Sequence, residues 1–323
     1  MPPRLWARGG HYPGPVTSPH GILLLDKPQG LTSHDVVARV RRAANTRKVG
    51  HAGTLDPMAT GLLIVGLGMA TRLLTHVVGA DKVYEATIRL GEATNTDDAE
   101  GEQTGKADAS AVAALADAEL ARAVAALTGD LLQVPSSVSA IKVDGERAYA
   151  RVRAGEQVEL AARPVTVSAF EVRSIRRLPE QGVIDLDVRV ACSSGTYIRA
   201  LARDLGAALG VGGHLTALRR TAVGPFDVAS ATPLAALTDG AVAPADVLLA
   251  PADAATRLVP RLDLDEQQAV DLGHGKKLAL AQAGGPGIRA AIAPDGRLVA
   301  LVSVSKTGVV RVETGFPQPE AQP

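Results

Sequence analysis

Aromatic side chains are scarce: four tyrosines, three phenylalanines and one tryptophan make up 2% of 323 residues. With so few, each tyrosine needs its own explanation. Cysteine is scarcer still. The single Cys192 excludes an intramolecular disulfide and a cysteine-rich zinc site, and it suits a reducing cytoplasm. There is no excess charge of one sign, since 34 Lys and Arg balance 34 Asp and Glu. Bulk electrostatics therefore do not mark a nucleic-acid binder, although a local basic face stays open. The chain has no P-loop, HExxH, GxSxG or dinucleotide fingerprint, and its histidines do not pair at metal-ligand spacing.

Long apolar runs are missing as well. GLLIVGLGMATRLLTHVVGA comes nearest, but Arg72 and His76 interrupt it, so it reads as a buried strand followed by a helix and not as a membrane span. The first residues, rich in Pro and Gly, lack the apolar core of a signal peptide and read as a tail over 1–18.

At 46% hydrophobic residues, a sizeable core is available. GILLLDK reads as a buried strand ending in a Pro-Gly turn. Thr32 or Ser33 then caps a helix to about Ala44, with Asp35 in its first turn and Val36, Val37, Val40 and Ala44 inward. Arg39, Arg41, Arg42, Arg47 and Lys48 follow one another with no acid among them, a solvated face or a binding surface. KVYEATIRLG alternates, with Tyr84, Ala86, Ile88 and Leu90 on one face. Asp97, Asp98, Glu100 and Glu102 form an acidic patch that reads as a loop. In VIDLDVRVAC the aliphatics point inward and Asp185, Asp187 and Arg189 outward.

Strands and helices do not alternate strictly, which favours α+β with a mainly antiparallel mixed sheet flanked by helices. The expected organisation is a catalytic domain over 19–240 with a basic insertion near 131–160, a linker over 241–258 that could equally be peripheral packing, a small β-rich domain over 259–317 turning on Pro-Asp-Gly, and a tail over 318–323. With no heptad or evident interface, a monomer is expected.

GHAGTLDPMATGLL holds the most informative carboxylate. An aspartate before proline is commonly a turn or cap residue. Here Pro57 restricts Asp56 to extended geometry, and Gly53 and Gly61 permit close approach by a ligand. Such an aspartate could serve as a nucleophile, given a nearby arginine that lowers its pKa.

GHAGTLDPMATGLLIVGLGMATR, LLLDKPQGLTSHDVV, DKVYEATIRLGEATNTDDAEG, VPSSVSAIKVDGERAYARVRAGE, CSSGTYIRALARDLG and GGHLTALRRTAVGPF lie in this order over residues 21–227. They resemble the motifs of the bacterial tRNA pseudouridine-55 synthase (TruB) family. The resemblance implies a pseudouridine-synthase fold and isomerisation of uridine 55 in the tRNA T loop after base flipping, with tRNA as partner, no metal or organic cofactor, no membrane association and a cytoplasmic location.

By the same resemblance Asp56 is the nucleophile, Arg199 its ion-pair partner and Tyr84 the tyrosine packed on the base. Tyr197 is a second pocket aromatic, Leu218 an apolar contact to uracil, and His51 the filler of the space left by the extruded nucleotide. On pattern alone Tyr84 and Leu218 are equally core residues, and Arg199 a surface ion pair. Lys27 would support the loop or meet a phosphate. Lys142, Arg147, Arg219 and Arg220 are backbone-contact candidates, as are Lys276 and Lys277 in a PUA-like C-terminal domain. The alternative is a non-catalytic RNA-binding or tRNA-folding protein on the same scaffold.

Overall fold

The computed structural model describes residues 19–136 and 160–317 and, as two short backbone stretches, 142–143 and 146–147. The tails expected at 1–18 and 318–323 and most of the basic insertion lie outside the described residues. In chain order the strands are β1 (Gly21–Lys27), β2 (Val49–Ala52), β3 (Thr60–Leu67), β4 (Lys82–Leu90), β5 (Glu92–Thr94), β6 (Gln103–Lys106), β7 (Gly129–Gln133), β8 (Lys142–Val143), β9 (Glu146–Arg147), β10 (Arg163–Leu178), β11 (Val183–Cys192), β12 (Gly213–Val223), β13 (Phe226–Asp227), β14 (Thr232–Pro233), β15 (Arg261–Asp263), β16 (Leu278–Ala279), β17 (Gly287–Ile292), β18 (Leu298–Val304) and β19 (Val309–Gly315). The helices are α1 (Ser33–Ala43), α2 (Leu74–Val78), α3 (Ala109–Ala114), α4 (Asp117–Ala126), α5 (Ile198–Ala208), α6 (Leu234–Thr238), α7 (Pro251–Leu258) and α8 (Glu266–Gly273).

A ten-stranded sheet runs in the order β14-β1-β3-β12-β4-β11-β10-β7, with β2 on β3 and β13 on β12. It is antiparallel except at β1·β14 and at β3·β12, where Arg219 and Arg220 stand opposite Thr60 and Gly61. The expected α+β mixed sheet is therefore present.

The unbroken aliphatic runs of β1 and β3 follow from burial on both faces. Leu23, Leu25, Leu63 and Val65 face a core closed by α1, α4, α5 and α6. Ile22, Leu24, Leu62 and Ile64 face a second core closed by α2, α7 and part of the C-terminal sheet. No helix among the described residues is long and apolar enough to cross a membrane.

The C-terminal sheet, in the order β15-β17-β18-β19-β16, has its own core around Leu262, Leu272, Val302 and Val310. It also sends Ile292, Leu298, Leu301 and Phe316 into the second core of the large sheet. Its hairpin β17–β18 turns on Pro294-Asp295-Gly296, with Gly296 at φ +82°.

Helix α1 begins as its sequence dictates. Thr32 is the N-cap and Asp35 closes a capping box with it. Gly61 marks the tightest point of the main sheet, at φ +97°, and a Cβ there would lie 2.3 Å from the Arg220 carbonyl oxygen. Both the dihedral and the clash are backbone problems that no side-chain rotation relieves. Gly61→Ala is expected to cost at least about 2 kcal/mol of stability, read from the urea midpoint at unchanged slope. A loss below about 0.5 kcal/mol would mean that β3 and β12 are not held this closely.

Three expectations change. Residues 131–133, expected in the insertion, belong to β7, which pairs with β10 in the main sheet. Residues 241–258, expected as a linker or as peripheral packing, are packed and not a free linker: they contain α7, whose Ala254 and Ala255 are fully buried, and Leu249 exchanges two backbone hydrogen bonds with Ile22 at 2.9 and 2.8 Å. Asp185, expected outward, is 6% exposed because Arg89 on the neighbouring strand donates to both its oxygens at 2.8 and 3.0 Å.

Candidate active site

The loop between β2 and β3 carries Asp56, and its carbonyls are tied down one by one. Arg220 Nη2 donates to Gly53 O at 3.0 Å, and Ser33 Oγ to Leu55 O at 3.1 Å. The amide of Ala59 donates to Asp56 O at 3.1 Å, and that of Gly30 to Pro57 O at 2.8 Å. Ser33 Oγ also accepts from the Leu55 amide at 2.9 Å. A loop so fully bonded holds its one carboxylate in a fixed place.

Asp56 opens into a pocket of about 260 Å³. Tyr84 and Lys82 come from one face of β4, as the alternation requires, and Leu218 and Arg220 from one face of β12. Tyr197 and Arg199 come from the start of α5. The Gln133 side chain straps the Tyr197 backbone, accepting from its amide at 2.8 Å and donating to its carbonyl at 3.0 Å.

Arg199 joins the pieces. Its Nε lies 3.1 Å from Asp56 Oδ2, and its Nη1 lies 3.3 Å from Asp98 Oδ2 and donates to Thr96 O at 3.0 Å. A cation in the first turn of a helix is disfavoured by the helix dipole, and the two carboxylates offset that. Asp98 Oδ1 accepts from Thr96 Oγ1 at 2.6 Å and from the Glu100 amide at 3.1 Å. The acidic loop is anchored to β12 by the Leu215 amide, which donates to Asp97 O at 3.0 Å, and Asp97 adopts φ +60°. Arg203 lies 3.4 Å from the Asp97 carboxylate.

The electrostatics partly reverse the expectation. Burial pushes the Asp56 pKa above the usual carboxylate range. Arg199 opposes that shift without overturning it, and Asp98 adds to it. Burial also raises the Tyr84 hydroxyl, against the Arg220 charge, and brings both Lys27 and Lys82 down to about 8. Cys192 is pushed up to about 11, again by burial, so it is an inert thiol.

Of the residues singled out in the sequence, Asp56, Tyr84, Tyr197, Arg199, Leu218 and Arg220 line this pocket, while Lys27 and Arg219 are engaged elsewhere. Lys27 is fully buried and its ammonium donates to Pro28 O, Leu31 O and Pro57 O at 3.0, 2.7 and 3.3 Å, so it supports the loop. Arg220 is 1% exposed with Nε on Leu62 O at 2.8 Å, so it forms part of the pocket floor. Arg219 points the other way along β12 and grips Asp26 at 3.0 and 2.6 Å.

His51 does not line the pocket. It stands on β2, edge-on to His34 at 5.4 Å between ring centroids, and its buried Nδ1 has no hydrogen-bond partner among the described residues. Burial pushes its pKa down, and the His34 charge adds to that. Lys276 pairs with Asp271 at 2.7 Å, and Lys277 is exposed, both far along the chain in the C-terminal sheet domain. Lys142 and Arg147 stand opposite each other on β8 and β9, and their side chains lie outside the description.

The sequence reading gave Asp98 no role of its own, placing it in an acidic patch on a loop; Asp98 is 2% exposed. It also passed over Lys82, although the alternation that placed Tyr84 places Lys82 on the same face. Among the described residues no group of His, Cys, Asp or Glu is arranged to hold a metal.

The model for the TruB family pseudouridylate synthase N-terminal domain matches residues 41–198. Those for the tRNA pseudouridylate synthase B C-terminal domain and the tRNA pseudouridine synthase II C terminus match 199–256 and 259–311. The tRNA pseudouridine synthase B of Leifsonia xyli subsp. xyli is 64% identical over 284 residues, 87% of this chain and 92% of that one. The chain belongs to the TruB family. A second such relative, from Arthrobacter sp. (strain FB24), is 57% identical over 290 residues, 88% of this chain and 92% of that one.

Among solved structures, an H/ACA RNP bound to a substrate RNA containing 2'-deoxyuridine matches this TruB-family chain with a TM-score of 0.68 at 25% identity, covering 94% of this chain and 87% of that one. A Cbf5-Nop10-Gar1 complex matches at 0.68 and 26%, covering 92% and 85%. The fold is that of the pseudouridine synthases.

Proposed function

We propose that this chain is a cytoplasmic tRNA pseudouridine synthase that isomerises uridine 55 in the T loop, with Asp56 as nucleophile. The observation that carries the reading is the Asp56–Arg199 pair, 3.1 Å apart, its guanidinium buried and its carboxylate half-buried and open to a pocket with room for one nucleoside. The relatives' names supply tRNA as the substrate.

In this reading the uridine leaves the RNA stack and enters the pocket, at a cost of a few kcal/mol. Tyr84 and Leu218 replace the lost stacking with a π-face and an apolar face, which is worth ~1–3 kcal/mol for an aromatic contact. His51, outside the pocket, stacks in the space the base has left. Asp56 acts as nucleophile in the step that breaks the bond between N1 and C1′. The freed uracil turns within the pocket, C5 bonds to C1′, the bond formed by the Asp56 carboxylate breaks and returns its electron pair to that oxygen, the C5 proton leaves to water and N1 takes up a proton. Atoms balance, and no co-reactant is consumed. Arg199 keeps Asp56 ionised and aimed in spite of its burial. Lys142, Arg147, Lys276 and Lys277 contact the RNA backbone, the last two from a PUA-like domain.

The test is a tRNA transcript tritiated at C5 of its uridines. One tritium released per tRNA, and none when uridine 55 is replaced by cytidine, is the expected result. Release that persists in the replaced transcript would overturn the assignment of the position. Binding without release from either would overturn the enzymatic reading.

A further inference from the structure

One charged feature of the sequence plays no part in that site, namely the basic run at the far end of α1. Ser33, at the start of α1, holds Leu55 of the catalytic loop. Arg42 lies nine residues further on, about 13 Å along the axis at 1.5 Å per residue. Arg39 and Arg42 are three apart, hence neighbours on the exposed face. They form one wall of a groove of about 550 Å³ whose other wall is Thr238, Gly240 and Ala243.

Neither arginine lies within ion-pairing distance of a carboxylate among the described residues. Asp35, one turn before Arg39, has its carboxylate bonded to the Thr32 amide and hydroxyl at 2.9 and 2.6 Å. Asp239, at the far rim, accepts from Thr238 Oγ1 at 3.2 Å. The helix dipole accounts for a cation at this end, and Arg41, bonded to Val49 O at 3.1 Å, already fills that place. Two guanidinium groups on a concave wall, with no ion pair within 4.0 Å among the described residues beyond the longer-range pull of Asp35 on Arg39, and with Arg47 and Lys48 exposed just beyond, match a chain of phosphates.

We infer that the groove between α1 and the 238–244 segment is a second docking site for the phosphate backbone of the substrate RNA, away from the nucleotide held in the pocket. The inference rests on the tRNA reading above. The groove selects no bases; it adds affinity and orients a large folded RNA whose target nucleotide is in the pocket. A substrate that reaches both places binds more tightly than one that reaches only the pocket.

The experiment compares the wild type with Arg39→Ala/Arg42→Ala and Arg39→Glu/Arg42→Glu, using an unmodified full-length tRNA transcript and a T-arm stem-loop. It measures Kd against salt, kcat and KM, and the melting temperature. Expected for full-length tRNA are a Kd weakened about tenfold by the alanine pair and further by the glutamate pair, and a salt slope shallower by about 1.5, at roughly 0.7–0.9 per lost phosphate contact. The kcat should stay unchanged.

Loss with tRNA alone puts the contact outside the T arm, and loss with both RNAs puts it within; either supports the inference. An unchanged Kd and salt slope with tRNA would overturn it, as would a loss confined to kcat. A wild type that binds tRNA but converts neither RNA would defeat the catalytic reading and leave the groove to be judged by Kd alone.

Discussion

Asp56→Asn is expected to lower pseudouridine formation by at least about 10⁴-fold while tRNA affinity changes by less than about threefold. The amide matches the carboxylate in shape, so the tightly bonded loop between Gly53 and Ala59 has no reason to move. It cannot act as a nucleophile, and loss of a nucleophile from a preorganised site characteristically costs factors of this size. Single-turnover rates with saturating enzyme separate the chemical step from binding. Activity above about 1% of wild type would remove Asp56 from the nucleophile's role.

A pH dependence accompanies this substitution, and its sign is fixed by the direction of the shift. Burial raises the Asp56 pKa in the folded state above its value in the unfolded chain. The folded state therefore favours the protonated acid. The stability from this group is fully present below the unfolded pKa, about 4, and is lost as pH rises through the folded value. Asn is neutral throughout. The melting temperature of Asp56→Asn should thus gain on the wild type as pH rises from about 4 toward neutrality. Wild-type kcat should rise over the same interval, on a limb displaced above the ordinary carboxylate range. Parallel melting curves at all pH values would contradict the raised pKa of this carboxylate.

How far the site was legible in the sequence depends on the kind of signal. Tyr84 follows from strict alternation in β4, and the capping box of α1 from Thr32 and Asp35. Both are local patterns, and local patterns survive folding. The adjacent Arg219 and Arg220 look alike in sequence, yet a strand turns consecutive side chains to opposite faces. Arg219 therefore meets Asp26, and Arg220 enters the pocket floor. Asp98 gives no local sign of burial. It is buried because Arg199, on a distant helix, reaches it, and the sheet order that brings α5 to the acidic loop is not written in either segment. Asp185 is the same case, with Arg89 on β4 as the distant partner. Buried charges are the least legible residues here because each depends on a partner that only the topology supplies.

Arg199 makes that dependence measurable. It is 5% exposed and stands between two carboxylates, Asp56 and Asp98, with Glu100 nearby and also shifted upward by burial and by both acids. Arg199→Ala leaves these acids facing one another with no cation between them. Removing one partner of a buried ion pair costs about 3–5 kcal/mol, because the remaining charges stay desolvated. They can relieve the repulsion by taking up protons, so Asp56 becomes protonated at pH values where the proposed nucleophile would have to be ionised.

The expected result is a loss of about 3–5 kcal/mol in urea unfolding at neutral pH, a kcat lower by about 10³-fold, and an acid limb of the pH profile moved upward. Arg199→Lys keeps the charge but cannot bridge two carboxylates from one planar group, so it should recover stability more fully than rate. Adding Asp98→Asn to Arg199→Ala removes one of the two uncompensated charges, and part of the lost stability should return. A non-additive gain of about 1 kcal/mol or more in that cycle would show that the three side chains act as one unit. If Arg199→Ala unfolds within about 1 kcal/mol of the wild type and keeps its pH profile, the ion network does not control the ionisation of Asp56, and the rigidity of the loop alone must account for the site.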